Sequence, residues 1–86
     1  MKITVTETQV ELPAQYPRRQ IVVTNTGSKT AFWGWERTTE AAGDNQGLPL
    51  DPGAIFSFGG QGFDTSAPIF FVCATGEDTT INYTQR

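Results

Sequence analysis

A strand–turn–strand pattern in residues 17–35 is the feature that most restricts how this chain can fold. Residues 20–25 are rich in β-branched side chains, residues 25–28 read Asn-Thr-Gly-Ser, and residues 31–36 carry both tryptophans. β-Branched and aromatic side chains favour strands, whereas Asn, Gly and Ser tolerate the dihedral angles of turns. We therefore predict a β-hairpin at this place, within an all-β domain.

The other apolar residues occur in short segments separated by glycine- and proline-containing stretches. None of these segments has the 3.6-residue period of an amphipathic helix. Residues 69–74 are apolar throughout and residues 31–36 are apolar on both faces, so both are predicted to be strands covered on both sides. The pattern is typical of a single-domain antiparallel β-sandwich or barrel over residues 1–86, jelly-roll-like, with about six to eight short strands.

The composition excludes several ways of stabilising or using such a small domain. The chain has 86 residues, a formal net charge of −3, one cysteine and no histidine. A disulfide within the chain is impossible, and a zinc site lacks its usual ligands. The acidic balance disfavours nonspecific binding to nucleic acids. A chain of this size buries only about 60% of its unfolded surface, so we expect self-association or docking onto a larger surface.

Targeting signals are also missing from the pattern. No apolar run is long enough to span a bilayer, and the first residues do not resemble a secretory signal. We expect synthesis in the cytoplasm and no contact with a membrane.

Catalytic chemistry has few candidates in this sequence. Without histidine the commonest general base is missing, and Cys73 lies in an apolar run where burial raises a thiol pKa. The remaining option is a carboxylate pair drawn from Asp44, Asp51 and Asp64. Loop acids in an acidic protein are ordinarily solubilising charges, so we predict a non-enzymatic protein without a metal or cofactor.

Aromatic residues suggest one specific binding mode. If Trp33, Trp35 and Phe63 are exposed, they form a platform for sugar rings, as in carbohydrate-binding modules. The alternative is that the tryptophans pack in the core or between subunits.

Four segments, in order, resemble a family of short β-rich proteins encoded among the structural genes of tailed phages. They are residues 17–28, 31–35, the Gly-Leu-Pro-Leu-Asp-Pro-Gly of 47–53, and 68–76 followed by a threonine-rich strand. The resemblance implies a virion component, most often a head decoration protein on the outer capsid surface, made in the cytoplasm of the bacterial host. A tail-associated or head-closure part is the alternative within this family. The sequence departs from the family in Trp33, Trp35 and the length of loop 37–47.

The resemblance implies docking on the major capsid protein or another virion protein, and a trimer or dimer. We expect the contacts to come from the first strand and two glycine-bearing loops, because a terminal strand offers unpaired backbone for edge addition. The predicted contact residues are Ile3, Val5, Asp44, Asn45, Gln61 and Phe63. We also expect that deleting residues 1–8 abolishes particle binding and leaves the domain folded.

Overall fold

The computed structural model describes residues 1–14, 20–59 and 67–86, and these contain eight β-strands. The part of the chain it describes has no helix long and apolar enough to cross a membrane. The strands are β1 Lys2–Val5, β2 Val10–Leu12, β3 Gln20–Asn25, β4 Ala31–Gly34, β5 Leu48–Leu50, β6 Ile55–Gly59, β7 Ile69–Cys73 and β8 Thr79–Gln85.

The strands form two four-stranded sheets in which every neighbouring pair is antiparallel. The first sheet has the order β1-β8-β3-β6, and the second has the order β2-β7-β4-β5. This interleaved order is that of a jelly roll, in which the chain passes repeatedly from one sheet to the other. The predicted all-β sandwich with six to eight strands is confirmed.

The hydrophobic core lies between the two sheets and follows the two-residue period of the strands. In β3, buried residues alternate with half-buried ones, and the inward series ends on a polar residue, Asn25. The first and last strands close the same core, because Val5 and Ile81 are both fully buried. The core residues are Val5, Leu12, Ile21, Val23, Ala31, Trp33, Leu50, Ile69, Phe71, Cys73 and Ile81.

The apolar run of β7 is buried on both faces, as its sequence predicts. On the outer face Phe70 is only 3% exposed. The Arg37 guanidinium lies over its ring, 5.3 Å from the centroid, and also pairs with Glu11 on the neighbouring strand at 3.7 Å. The Arg37 guanidinium, held by its ion pair with Glu11, therefore covers the outer face of Phe70.

The predicted hairpin between β3 and β4 is wrong. β3 pairs with β6 and β8 in the first sheet, whereas β4 pairs with β5 and β7 in the second. Residues 26–30 are an arch that carries the chain from one sheet to the other. A hairpin and an arch between sheets both require turn residues. The presence of such residues therefore does not reveal whether the two flanking strands pair with each other.

Asn25 is the residue that holds this arch in place. It is fully buried, and its Nδ2 donates to the carbonyl oxygens of Lys29 at 2.7 Å and Leu50 at 2.8 Å. Its Oδ1 accepts from the Gly27 amide at 3.0 Å and from the Thr79 hydroxyl at 2.8 Å. Both donors and both acceptor positions of the amide are therefore used.

The strand predicted for residues 31–36 is shorter and less covered than expected. β4 ends at Gly34; its inward residues Ala31 and Trp33 are buried, but Phe32 on the other face is only half-buried. In β6, Phe56 and Phe58 are half-buried against the core.

Candidate functional site

One end of the sandwich collects the chain termini and the long loop between β4 and β5. The start of β3 pairs with the end of β6 through Gln20 and Gly59, and Gln20 also exchanges backbone hydrogen bonds with Arg86. β4 ends and β5 begins at this same end, which we call the groove end. Binding residues concentrate in loops on a rigid scaffold, so the groove end is the candidate functional site.

The loop of residues 35–47 is irregular but is held in place by hydrogen bonds. Thr39 is buried, and both its amide and its hydroxyl donate to the Glu36 carbonyl, at 3.0 and 2.6 Å. The Gln9 side-chain amide donates to the carbonyls of Arg37 and Thr39, at 2.6 and 3.1 Å. These bonds anchor the loop to itself and to the β1–β2 connection.

Two glycines allow the loop to lie close against β4. A Cβ on Gly47 would stand 2.6 Å from the Trp33 carbonyl oxygen and 2.9 Å from its amide nitrogen. A Cβ on Gly34 would stand 2.6 Å from the Thr39 hydroxyl. At Gly34 the approaching group is therefore a side chain, whereas at Gly47 it is backbone.

A groove of about 280 Å³ lies between the loop and the ends of β4 and β5. This volume is at the lower limit of the roughly 300–1,000 Å³ typical of small-molecule sites. The lining residues are Trp33, Gly34, Trp35, Glu36, Thr38, Thr39, Asn45, Gln46, Gly47 and Leu48.

The two tryptophans differ in exposure. Trp33 is 8% exposed and stacks on Phe56 with ring centroids 4.4 Å apart, whereas Trp35 is 40% exposed. Trp35 meets Trp33 edge-on at 5.7 Å and Phe58 at 5.1 Å. Of the platform predicted from Trp33, Trp35 and Phe63, Trp33 is therefore a core residue and Trp35 offers a ring to a ligand, while Phe63 lies outside the described residues.

The groove combines this ring with polar side chains. Glu36, Thr38 and Asn45 are all exposed and line it with Trp35. A carboxylate, a hydroxyl and an amide beside an aromatic face can hydrogen-bond and stack a polar ring. The loop also carries the exposed acids Glu40 and Asp44, and its Arg37 is directed to Glu11 and Phe70, so the loop itself has a net negative charge.

The predicted contact residues separate into three groups. Asn45 lines the groove beside Trp35, and Asp44 is exposed in the same loop. Val5 is fully buried and Ile3 is half-buried against the core, so the Val5 side chain is not accessible to a partner. β1 is nevertheless an edge strand, and its backbone is where any contact would be made. Gln61 and Phe63 lie outside the described residues.

Several groove residues were not predicted from the sequence. Glu36, Thr38 and Gln46 come from a stretch without periodicity, and only their proximity to Trp35 marks them. Leu48 is 60% exposed in β5. The sequence carries a signal for this exposure, because Leu48 directly precedes Pro49. An apolar residue before a proline on an edge strand has no guaranteed place in the core.

The two described carboxylates considered for catalysis, Asp44 and Asp51, are not brought together. Asp44 lies at the groove end, whereas Asp51 accepts a hydrogen bond from Thr30 beside the arch at the opposite end; Asp64 lies outside the described residues. Cys73 is 2% exposed, and its Sγ donates to the Val5 carbonyl at 3.5 Å. Burial, with smaller contributions from Glu77 and Asp78, raises the pKa of this thiol.

Among the described residues no group of three or more Cys, Asp or Glu side chains is placed to hold a metal ion. Comparison of the chain with protein-family models, with curated proteins and with solved structures found no match in any of the three.

Proposed function

We propose that this chain is a non-enzymatic structural protein of a tailed-phage virion, a decoration protein that docks on the major capsid protein and stabilises the head. The observation that carries the proposal is the gathering of the exposed Trp35, Asn45 and Leu48 at one end of a compact sandwich. Aromatic residues in a partly desolvated setting are the usual energetic centres of protein interfaces. The resemblance of residues 17–28, 31–35, 47–53 and 68–76 to phage structural proteins supports the choice of partner.

Docking through the groove end would benefit both partners. The small sandwich has little core of its own, and binding that favours the folded form stabilises it by mass action. On a capsid the subunits occupy symmetry-related positions, where a trimer or dimer is the natural arrangement. The outer capsid surface is the proposed location.

The test uses heads of the encoding phage prepared from a mutant that lacks this chain. Purified protein is added, and copies per particle are counted by cryo-electron microscopy and mass spectrometry. We expect ordered, symmetric occupancy, and a weakening of about thirtyfold for Trp35→Ala, the equivalent of about 2 kcal/mol for a hot-spot residue.

A matched control is available at the opposite end of the sandwich. Ser28 is exposed in the arch, so Ser28→Ala should bind the heads like the wild type. Absence of the wild-type protein from particles, or equal binding by both variants, would overturn the proposal.

A second candidate function is the binding of neutral sugars in the groove. The observation that favours it is the ring of Trp35 beside Thr38, Asn45 and Glu36 in a groove of single-ring size. The negative charge of the loop of residues 35–47 disfavours anionic glycans by charge repulsion.

A glycan array compared with tryptophan fluorescence titration tests this candidate without any virion. Binding should be restricted to neutral sugars, should change the emission of the exposed Trp35, and should be lost in Trp35→Ala. A silent array, or binding that survives this substitution, rules out the groove as a sugar site.

A further inference from the structure

The two sheets have four edge strands, and three of them carry residues that oppose pairing with another strand. β1 carries Lys2, β2 carries Glu11 at its centre, and β5 carries Pro49 at its centre. Charged residues and proline on edge strands are the devices by which β-proteins avoid edge-to-edge association.

The fourth edge, β6, has none of these devices. Its five residues read Ile-Phe-Ser-Phe-Gly, with neither charge nor proline. It pairs with β3 on one side through five consecutive residues, and no described strand pairs with its other side. In an antiparallel edge strand alternate residues direct both N–H and C=O outward, so within the described residues β6 presents an unpaired ladder.

The side chains next to this edge are also uncharged. On the outer face Ile55 is 65% exposed, and Ser57 is exposed beside it. On the inner face Phe56 and Phe58 are only half-buried, and Trp35 packs on Phe58. A strand added to β6 would extend the sheet and cover the exposed parts of these apolar residues.

We propose that β6 pairs edge to edge with β6 of a second copy of this chain, joining the two first sheets into one eight-stranded sheet. Antiparallel pairing of a strand with itself is isologous and closes at two copies. It brings no like charges together at β6, whereas self-pairing of β2 would place Glu11 opposite Glu11 and self-pairing of β5 would lack the Pro49 donor.

Charge also explains why the assembly stops at a dimer. After pairing, the free edges of the joined sheet are the two β1 strands, each with Lys2. The inference does not depend on the proposed virion function, because it requires only the chain itself.

The size of the contact sets its strength. A five-residue strand is about 17 Å long at 3.4 Å per residue, and the shortest dimension of the molecule is 16 Å. Such a face is smaller than the roughly 800 Å² per partner of a standard stable interface. The dimer is therefore weak and depends on concentration.

Sedimentation velocity from about 10 μM to about 1 mM protein measures this equilibrium directly. We expect a monomer–dimer transition in this range. Ile55→Lys, which introduces the charge that the other edges carry, should raise the dissociation constant at least tenfold. Thr4→Lys places the same charge at an exposed position of β1, on the opposite edge of the same sheet, and should leave the constant unchanged.

Hydrogen exchange of the wild-type protein gives a second readout that does not depend on any variant folding. Amides of β6 should become more protected at high concentration, while those of β1 should not change. A protein that stays monomeric throughout the range, a dimer weakened equally by both substitutions, or concentration-dependent protection outside β6 would each overturn the proposal.

Discussion

At the scale of single residues, the decisive position is polar and lies inside the core. Asn25 uses its whole side-chain amide to join the arch, the start of β8 and the end of β5. A buried polar group is tolerated only when its hydrogen-bonding capacity is satisfied, and here every atom is satisfied. This residue therefore specifies the crossing between the sheets rather than adding apolar burial.

Replacing Asn25 with Ala should destabilise the protein by about 3 kcal/mol or more, because it leaves several buried partners without hydrogen bonds. Urea denaturation followed by circular dichroism measures the loss. Asn82→Ala, a half-buried position on the outer face of β8, is the control and should cost less than about 1 kcal/mol. Equal losses for the two variants would show that Asn25 is not a structural hub.

The thiol of Cys73 should make stability depend on alkaline pH. Its pKa is raised in the folded state by burial, so the folded protein holds its proton at a pH where the unfolded chain releases it. Stability is therefore unaffected below the ordinary thiol pKa and falls as the pH rises above it, by at most about 1.4 kcal/mol per pH unit.

Denaturation midpoints of the wild type and Cys73→Ala between about pH 7 and pH 10 isolate this contribution, since the ordinary thiol pKa is about 8.5. The variant is less stable throughout because of the cavity, but its stability should fall less steeply with pH. Parallel pH profiles would contradict a buried protonated thiol.

At the scale of elements, the loop of residues 35–47 is shaped by how closely it lies against β4. The Thr39 side chain packs against Gly34, and Gly47 packs against the backbone of Trp33. Hydrogen bonds from the Gln9 side chain hold the Arg37 and Thr39 carbonyls of the same loop. The groove therefore has a preorganised wall, which reduces the entropy lost when a partner binds.

Gly47→Ala should displace this wall, because the new methyl group meets backbone atoms that cannot rotate away. We expect a loss of about 1–3 kcal/mol, typical of overpacking, and a change in the quenching of Trp35 by acrylamide. Gly76→Ala is the control: its φ of +80° costs stability, but no atom lies within 4 Å of the added carbon. It should leave the quenching unchanged, and a similar result for Gly47→Ala would contradict the close packing.

At the scale of the whole molecule, the first and last strands are neighbours. β1 pairs with β8 along its full length, and the Met1 backbone exchanges hydrogen bonds with Tyr83. Val5 completes the core from this edge strand. The expectation that residues 1–8 can be removed without unfolding the domain conflicts with this arrangement.

Deletion of residues 1–8 should leave the chain largely unfolded at 25 °C, because a small domain has only about 5–15 kcal/mol of stability to lose. Circular dichroism and thermal melting measure this. Val5→Ala is a milder version and should cost about 2 kcal/mol, while Thr4→Ala on the exposed face should change stability by less than about 0.5 kcal/mol. A folded deletion variant would mean that β1 is dispensable.

Local pattern in the sequence was sufficient for the all-β class, for the positions of β3, β4 and β7, and for the double burial of β7. These features depend on the two-residue period of a strand and on turn residues, which are properties of neighbouring positions. Only the tertiary structure decided that β3 and β4 lie in different sheets, that Trp33 is buried while Trp35 is exposed, and that Asn45 and Trp35 line the same groove. The reason is physical: pairing across the sandwich depends on contacts such as those of Asn25 with Leu50 and Thr79, which are far away in the chain and leave no local pattern.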